Sequence, residues 1–105
     1  MSIEAQIFEL EQFAQRENIS ISERFIESKS AKKPGREIFN QMMAKIYSSA
    51  EPVGIICWHP DRLARNSVDG GQIIYCIDTQ KIASLRSPCF WFEPTPQGLF
   101  MLQVA

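Results

Sequence analysis

The stretch Val53-Gly54-Ile55-Ile56-Cys57-Trp58, followed at once by His59-Pro60-Asp61-Arg62-Leu63-Ala64-Arg65-Asn66, decides the fold. Its first half is a short, continuous apolar run bounded by turn residues. Such a run predicts a strand buried on both faces, the habit of parallel sheets. Its second half is polar and predicts a loop at the carboxyl end of that strand, where open α/β sheets hold their ligands.

Downstream, the pattern predicts a helix from about Ser67 to Thr79, with Ser67 as N-cap and Ile73, Ile74 and Ile77 turned inward. Gly70 and Gly71 each weaken that helix by about 1 kcal/mol relative to alanine, so close packing is expected at them. Ile82-Ala83-Ser84-Leu85 reads as a second strand and Cys89-Phe90-Trp91-Phe92 as a short extended piece. Thr95-Pro96 is an N-cap and first-turn pair, opening a strongly apolar helix that runs through Leu99-Phe100-Met101-Leu102.

Upstream, Ser48 to Pro52 is a connector, and a helix from about Arg36 to Ser48 carries Ile38, Phe39, Met42, Met43 and Ile46 as a wide apolar stripe. Ser28 to Gly35 is a basic loop. The β-branched, partly alternating run near 20–26 predicts a strand. A first helix spans 2–17, with Ser2 as N-cap, Ile3, Ile7, Leu10 and Ala14 on one face, and Asn18 ending it. Helices alternating with buried strands give an α/β domain with a mainly parallel sheet.

At 105 residues the chain is one domain at most. Its composition, 45% hydrophobic and 22% charged, is that of a globular protein rather than a disordered or disulfide-built one. The net charge of −1 excludes binding to nucleic acid through the field of the whole domain, so any DNA contact must be local. Cys57, Cys76 and Cys89 are odd in number and lack CxxC spacing, which reads as reduced, mostly buried thiols. A single histidine excludes a His-rich metal site. The start lacks the features of a signal peptide, and no apolar run approaches the ~20 residues of a membrane span. A cytoplasmic protein without membrane association is expected.

Two loops carry candidate chemistry. The loop after the 53–58 strand holds Asp61, Arg62 and Arg65; the loop after the 20–26 strand holds Lys29, Lys32 and Lys33 and leads to Arg36 at a helix start. Helix N-termini favour anions, and the planar donor fork of arginine matches phosphate oxygens. The same residues also fit a solvated surface pair, Asp61 with Arg65, contributing only a few tenths of a kcal/mol. The residues alone leave both readings open. His59 beside Asp61 is a candidate general acid, although a lone loop histidine is more often incidental. Trp58, Phe90, Trp91 and Phe92 suit core or subunit packing better than base stacking.

The word pattern bears on that choice. Ile55 to Asn66 resembles the "strand, then D-R-L-x-R" signature of the serine recombinases, the family of resolvases, invertases and large serine integrases. Ser2-Ile3-Glu4-Ala5-Gln6 resembles that family's "S-x-x-x-Q", and Pro34 to Met42 resembles its arginine opening the second helix. Thr95-Pro96-Gln97-Gly98-Leu99-Phe100-Met101 resembles the "T-P-x-G-x-x-M" that begins its long dimerisation helix. These motifs stand in the family's order over nearly the whole chain.

The resemblance implies a resolvase-like, mainly parallel sheet flanked by helices, and site-specific DNA strand exchange through a 5′-phosphoserine link, without metal or cofactor. It implies that Arg36, Arg62 and Arg65 clamp the scissile phosphate, that Asp61 orients an arginine or shares in proton transfer, and that Gln6 helps place nucleophile or phosphate. Lys29, Lys32 and Lys33 would add phosphate contacts. DNA is the implied partner, with self-association through the helix beginning near Pro96.

The departures are equally specific. The family's nucleophile lies in a "Y-x-R-x-S" segment on the first, central strand, upstream of the position matched by Gln6, and no such segment occurs here. Val53 stands where the family often has an acidic residue. The expectation is therefore a domain lacking its first central strand, cut early in the last helix and without a DNA-binding domain, inactive alone and marginally stable. An alternative is a non-catalytic partner that pairs with an intact recombinase. An unrelated flavodoxin-like or receiver-like domain is disfavoured, because no acidic cluster or Gly-rich phosphate loop is present.

Overall fold

The computed structural model describes residues 2–27, 37–59, 63–64 and 67–88. In chain order these form α1 (Ile3–Arg16), α2 (Glu37–Ser48), β1 (Val53–Ile56), α3 (Ser67–Asp78) and β2 (Ile82–Arg86). The two strands pair in parallel, with Val53 opposite Ile82 and Ile56 opposite Arg86. A parallel pair needs a crossover, and α3 supplies it. The chain is thus an α/β fold, as its sequence pattern predicts.

Capping explains where the helices begin and end. The Ser2 hydroxyl accepts from the Ala5 amide at 3.1 Å, as an N-cap serine should. At the other end of α1, Asn18 takes a left-handed φ of 55°, the Ile19 amide reaches back to Ala14 O at 2.8 Å and Asn18 N to Gln15 O at 3.3 Å. This double bond pattern with a left-handed residue is a Schellman stop. The same device ends α3. Gln80 has φ 64°, Lys81 N bonds Cys76 O at 2.8 Å, and Gln80 N bonds Ile77 O at 3.1 Å. Lys81 O then accepts from Val53 N at 3.0 Å, so the stop that ends the helix also starts the strand ladder.

The core joins Phe39, Met43 and Ile46 of α2 to Ile73 and Cys76 of α3 and to Ile82 and Leu85 of β2, with Cys57 and Leu63. Met42, Val53, Ile55, Ile74 and Ile77 pack against it, half-buried. The apolar stripes read for α2 and α3 are therefore the faces that pack.

Four expectations are corrected. Residues 19–27 form no strand; they run as irregular chain, with Phe25 and Ile26 exposed. A strand exists only where a neighbour takes its hydrogen bonds, and β-branched composition cannot supply that neighbour. β1 is not sealed on both faces, since Val53, Ile55 and Ile56 are only half-buried. Ser67 is the first residue of α3 rather than the cap before it. No close packing occurs at Gly71, where an added Cβ would meet nothing within 4 Å. The basic loop 28–35, the extended piece 89–92 and the helix opened by Thr95-Pro96 lie outside the described residues.

Candidate functional site

The site expected from sequence lies past the carboxyl ends of β1 and β2, and those ends are tied together. Cys57 N donates to Arg86 O at 3.0 Å, and the Ser87 hydroxyl donates to Trp58 O at 2.6 Å. The second bond links the two chains just beyond the ladder, fixing the base from which the polar loop departs. His59 is half-buried, and its ring centroid lies 6.1 Å from that of Trp58 in a tilted arrangement.

Within the loop, Leu63 and Ala64 are buried, at 6% and 1% exposure. A solvated loop does not normally place consecutive residues in a core. Leu63 belongs to the same cluster as Cys57, Ile73 and Leu85, so the middle of Asp61-Arg62-Leu63-Ala64-Arg65 is anchored under the ends of the sheet. Asp61, Arg62, Arg65 and Arg36 lie outside the described residues, as do Lys29, Lys32 and Lys33. Gln6 is described. It is half-buried on α1 and lines one groove with Ile56, Cys57, Trp58 and Leu63.

Two acidic residues outside the candidate loops have defined positions. Asp69, in the first turn of α3, is only 8% exposed. A carboxylate there is favoured by the helix N-terminus, and its burial requires hydrogen-bonding or charged partners. Glu27 accepts a hydrogen bond from the Phe39 amide at 3.4 Å, satisfying one of the free amides at the start of α2. Burial of Asp69 had no signal in the sequence, because an acid in a first helical turn usually faces solvent. Glu27 could have been suspected as the last acid before the basic loop.

On the exposed side of α2, the Tyr47 phenol is pushed above its ordinary value of 10.0, chiefly by its hydrogen bond with Cys76 and next by partial desolvation. Cys57 and Cys76 are buried free thiols.

The family model described as "Resolvase, N terminal domain" matches residues 1–105, the whole chain. The protein belongs to the resolvase N-terminal domain family. This is the catalytic domain type of the serine recombinases, and the family acts in site-specific DNA recombination. Comparison with curated proteins and with solved structures gave no match. No helix among the described residues of this resolvase-type domain is long and apolar enough to cross a membrane.

Proposed function

We propose that this resolvase-type domain carries the phosphate-stabilising half of a serine recombinase site. The observation that supports it best is the burial of Leu63 and Ala64 past the carboxyl end of β1, which anchors the chain between the two arginine positions. In the reaction of the family, a serine hydroxyl attacks a DNA phosphodiester and the 3′-hydroxyl leaves. A 5′-phosphoserine link results, and the liberated hydroxyl of a partner strand later reverses it. Negative charge grows on the non-bridging oxygens as the phosphorane forms. Arginines held in place beforehand stabilise that charge without reorganising.

In this reading Arg62 and Arg65 provide the clamp, Arg36 joins them from the start of α2, and Asp61 orients an arginine or shares in proton transfer. Gln6 acts from α1 across the groove. Lys29, Lys32 and Lys33 contact flanking phosphates, and the helix beginning near Pro96 pairs copies of the domain. The segment Y-x-R-x-S that carries the serine in the family does not occur in the sequence. The polypeptide by itself is therefore expected to hold a phosphodiester without cutting it.

The test is incubation with supercoiled DNA bearing candidate sites, followed by denaturation and a search for protein joined covalently to a 5′ end. Bound DNA that is fully released on denaturation is the expected result. A covalent adduct would show that another residue of this chain serves as nucleophile.

A further inference from the structure

α3 ends where β1 begins, for Lys81 O, just past the helix, accepts from Val53 N at 3.0 Å. The first turn of α3 therefore lies toward the opposite, carboxyl end of β1, the end from which the arginine-bearing loop departs. The buried face of the helix consists of Asp69, Ile73 and Cys76, spaced i, i+4 and i+7, with Gly70 beside them. Ile73 and Cys76 are fully enclosed, and the stripe they form begins with an acid only 8% exposed, where helical patterning asks for an apolar side chain. Ser67 and Val68, just before it, face solvent.

A carboxylate in that position weakens the domain unless donors replace its lost water. Asp69 has a polar partner. The free amides of the first helical turn can satisfy one of its oxygens, but an ionised carboxylate has about four acceptor sites and a charge to balance. Among the described cations, Arg24, Lys45 and Arg86 pair with Glu11, Glu23 and Glu17. Arg16 is exposed in the last turn of α1, and Lys81 lies past the far end of α3. Of the other cations, Arg65 is nearest in the chain, four residues before Asp69. It follows directly on Ala64, which is 1% exposed, so its Cα is about 3.8 Å from that of a core residue.

We propose that Asp69 is a positioning residue for Arg65, its buried carboxylate receiving the guanidinium from the core side. An arginine has five donors, so two can be spent on a carboxylate while the rest of the fork is presented to a phosphate. A guanidinium held in this way does not have to reorganise as charge grows on the phosphorane. The inference rests on the phosphate-clamp reading for what Arg65 does to DNA; the pairing itself is read separately.

The test uses the full chain and nuclear magnetic resonance of its arginine side chains, assigned through their own backbone amides. In the native protein the Arg65 Nε–H should exchange with water about tenfold or more slowly than those of Arg24 and Arg86, whose side chains are 52% and 50% exposed. Asp69→Asn keeps the size of the side chain and an oxygen for the first-turn amides, and should bring Arg65 to the rate of those two controls. Asp69→Glu, which keeps the charge, should restore part of the protection. Affinity for a short duplex should fall about tenfold on Asp69→Asn in the native background and not at all in the Arg65→Ala background. Exchange at Arg65 as fast as at Arg24 in the native protein would overturn the proposal without any variant. So would exchange unchanged by Asp69→Asn, or an equal loss of affinity in both backgrounds, which would leave Asp69 as a helix cap alone. Slow exchange that Asp69→Asn abolishes, with DNA affinity unchanged by Arg65→Ala, would uphold the pair and refute the clamp.

Discussion

Replacement of Leu63 by alanine separates an anchored loop from a solvated one. Leu63 is 6% exposed and packs in the cluster that contains Cys57, Ile73 and Leu85. Removing a buried leucine side chain beyond Cβ forfeits its transfer free energy and leaves a cavity, together about 2–5 kcal/mol. Domains of this size are held by about 5–15 kcal/mol in total, so the substitution should remove a large fraction of the stability. The fall in Tm should be about 4–8 °C per kcal/mol, so about 8 °C at the least. Urea denaturation followed by tryptophan fluorescence, to which Trp58 and Trp91 both contribute, gives the free energy. Val68→Ala is the reference, since Val68 is 68% exposed and its truncation should cost less than about 0.5 kcal/mol. If Leu63→Ala costs no more than the Val68 control, the loop is not anchored in the core, and the arginines on either side of Leu63 lose their structural support.

Two further substitutions test the reading of the fold. Gly71→Ala should stabilise by about 0.5–1 kcal/mol, because it sits in a helix interior with open space around its Cβ position; calorimetry showing destabilisation would place an unseen neighbour there. Tyr47 has its phenol raised above 10.0, so the contribution of the neutral form is complete below pH 10 and is lost as pH rises through the raised value. Denaturation from pH 9 to 12 should therefore show an alkaline loss of stability that Tyr47→Phe makes shallower, and identical profiles would remove Cys76 as the partner that holds the proton.

Much of the fold was legible because its signals are local. The Ser2 cap, the α2 stripe and the apolar run of β1 each state their structure within a few residues. The run near 20–26 misleads for the opposite reason: its β-branched residues show a preference, but a ladder is made by a second strand that sequence periodicity cannot identify. Gly70-Gly71 reads as a packing device, yet a Cβ at Gly71 would meet nothing within 4 Å among the described residues. For the site, word pattern pointed to the family and the family match bears it out. The burial of Leu63, Ala64 and Asp69 is not legible, because it depends on packing between segments far apart in sequence.

The phosphate clamp is tested most directly by the salt dependence of DNA binding. The affinity of the full chain for a short duplex should be measured from 50 to 200 mM salt for the native protein and for Arg62→Ala, Arg65→Ala and Arg36→Ala. Each arginine that neutralises a phosphate contributes about 0.9 to the slope of log affinity against log salt, so each substitution should reduce the slope by roughly one and weaken binding across sequences. Slopes and affinities unchanged in all three variants would contradict the assignment, leaving Asp61 and Arg65 as a solvated surface pair.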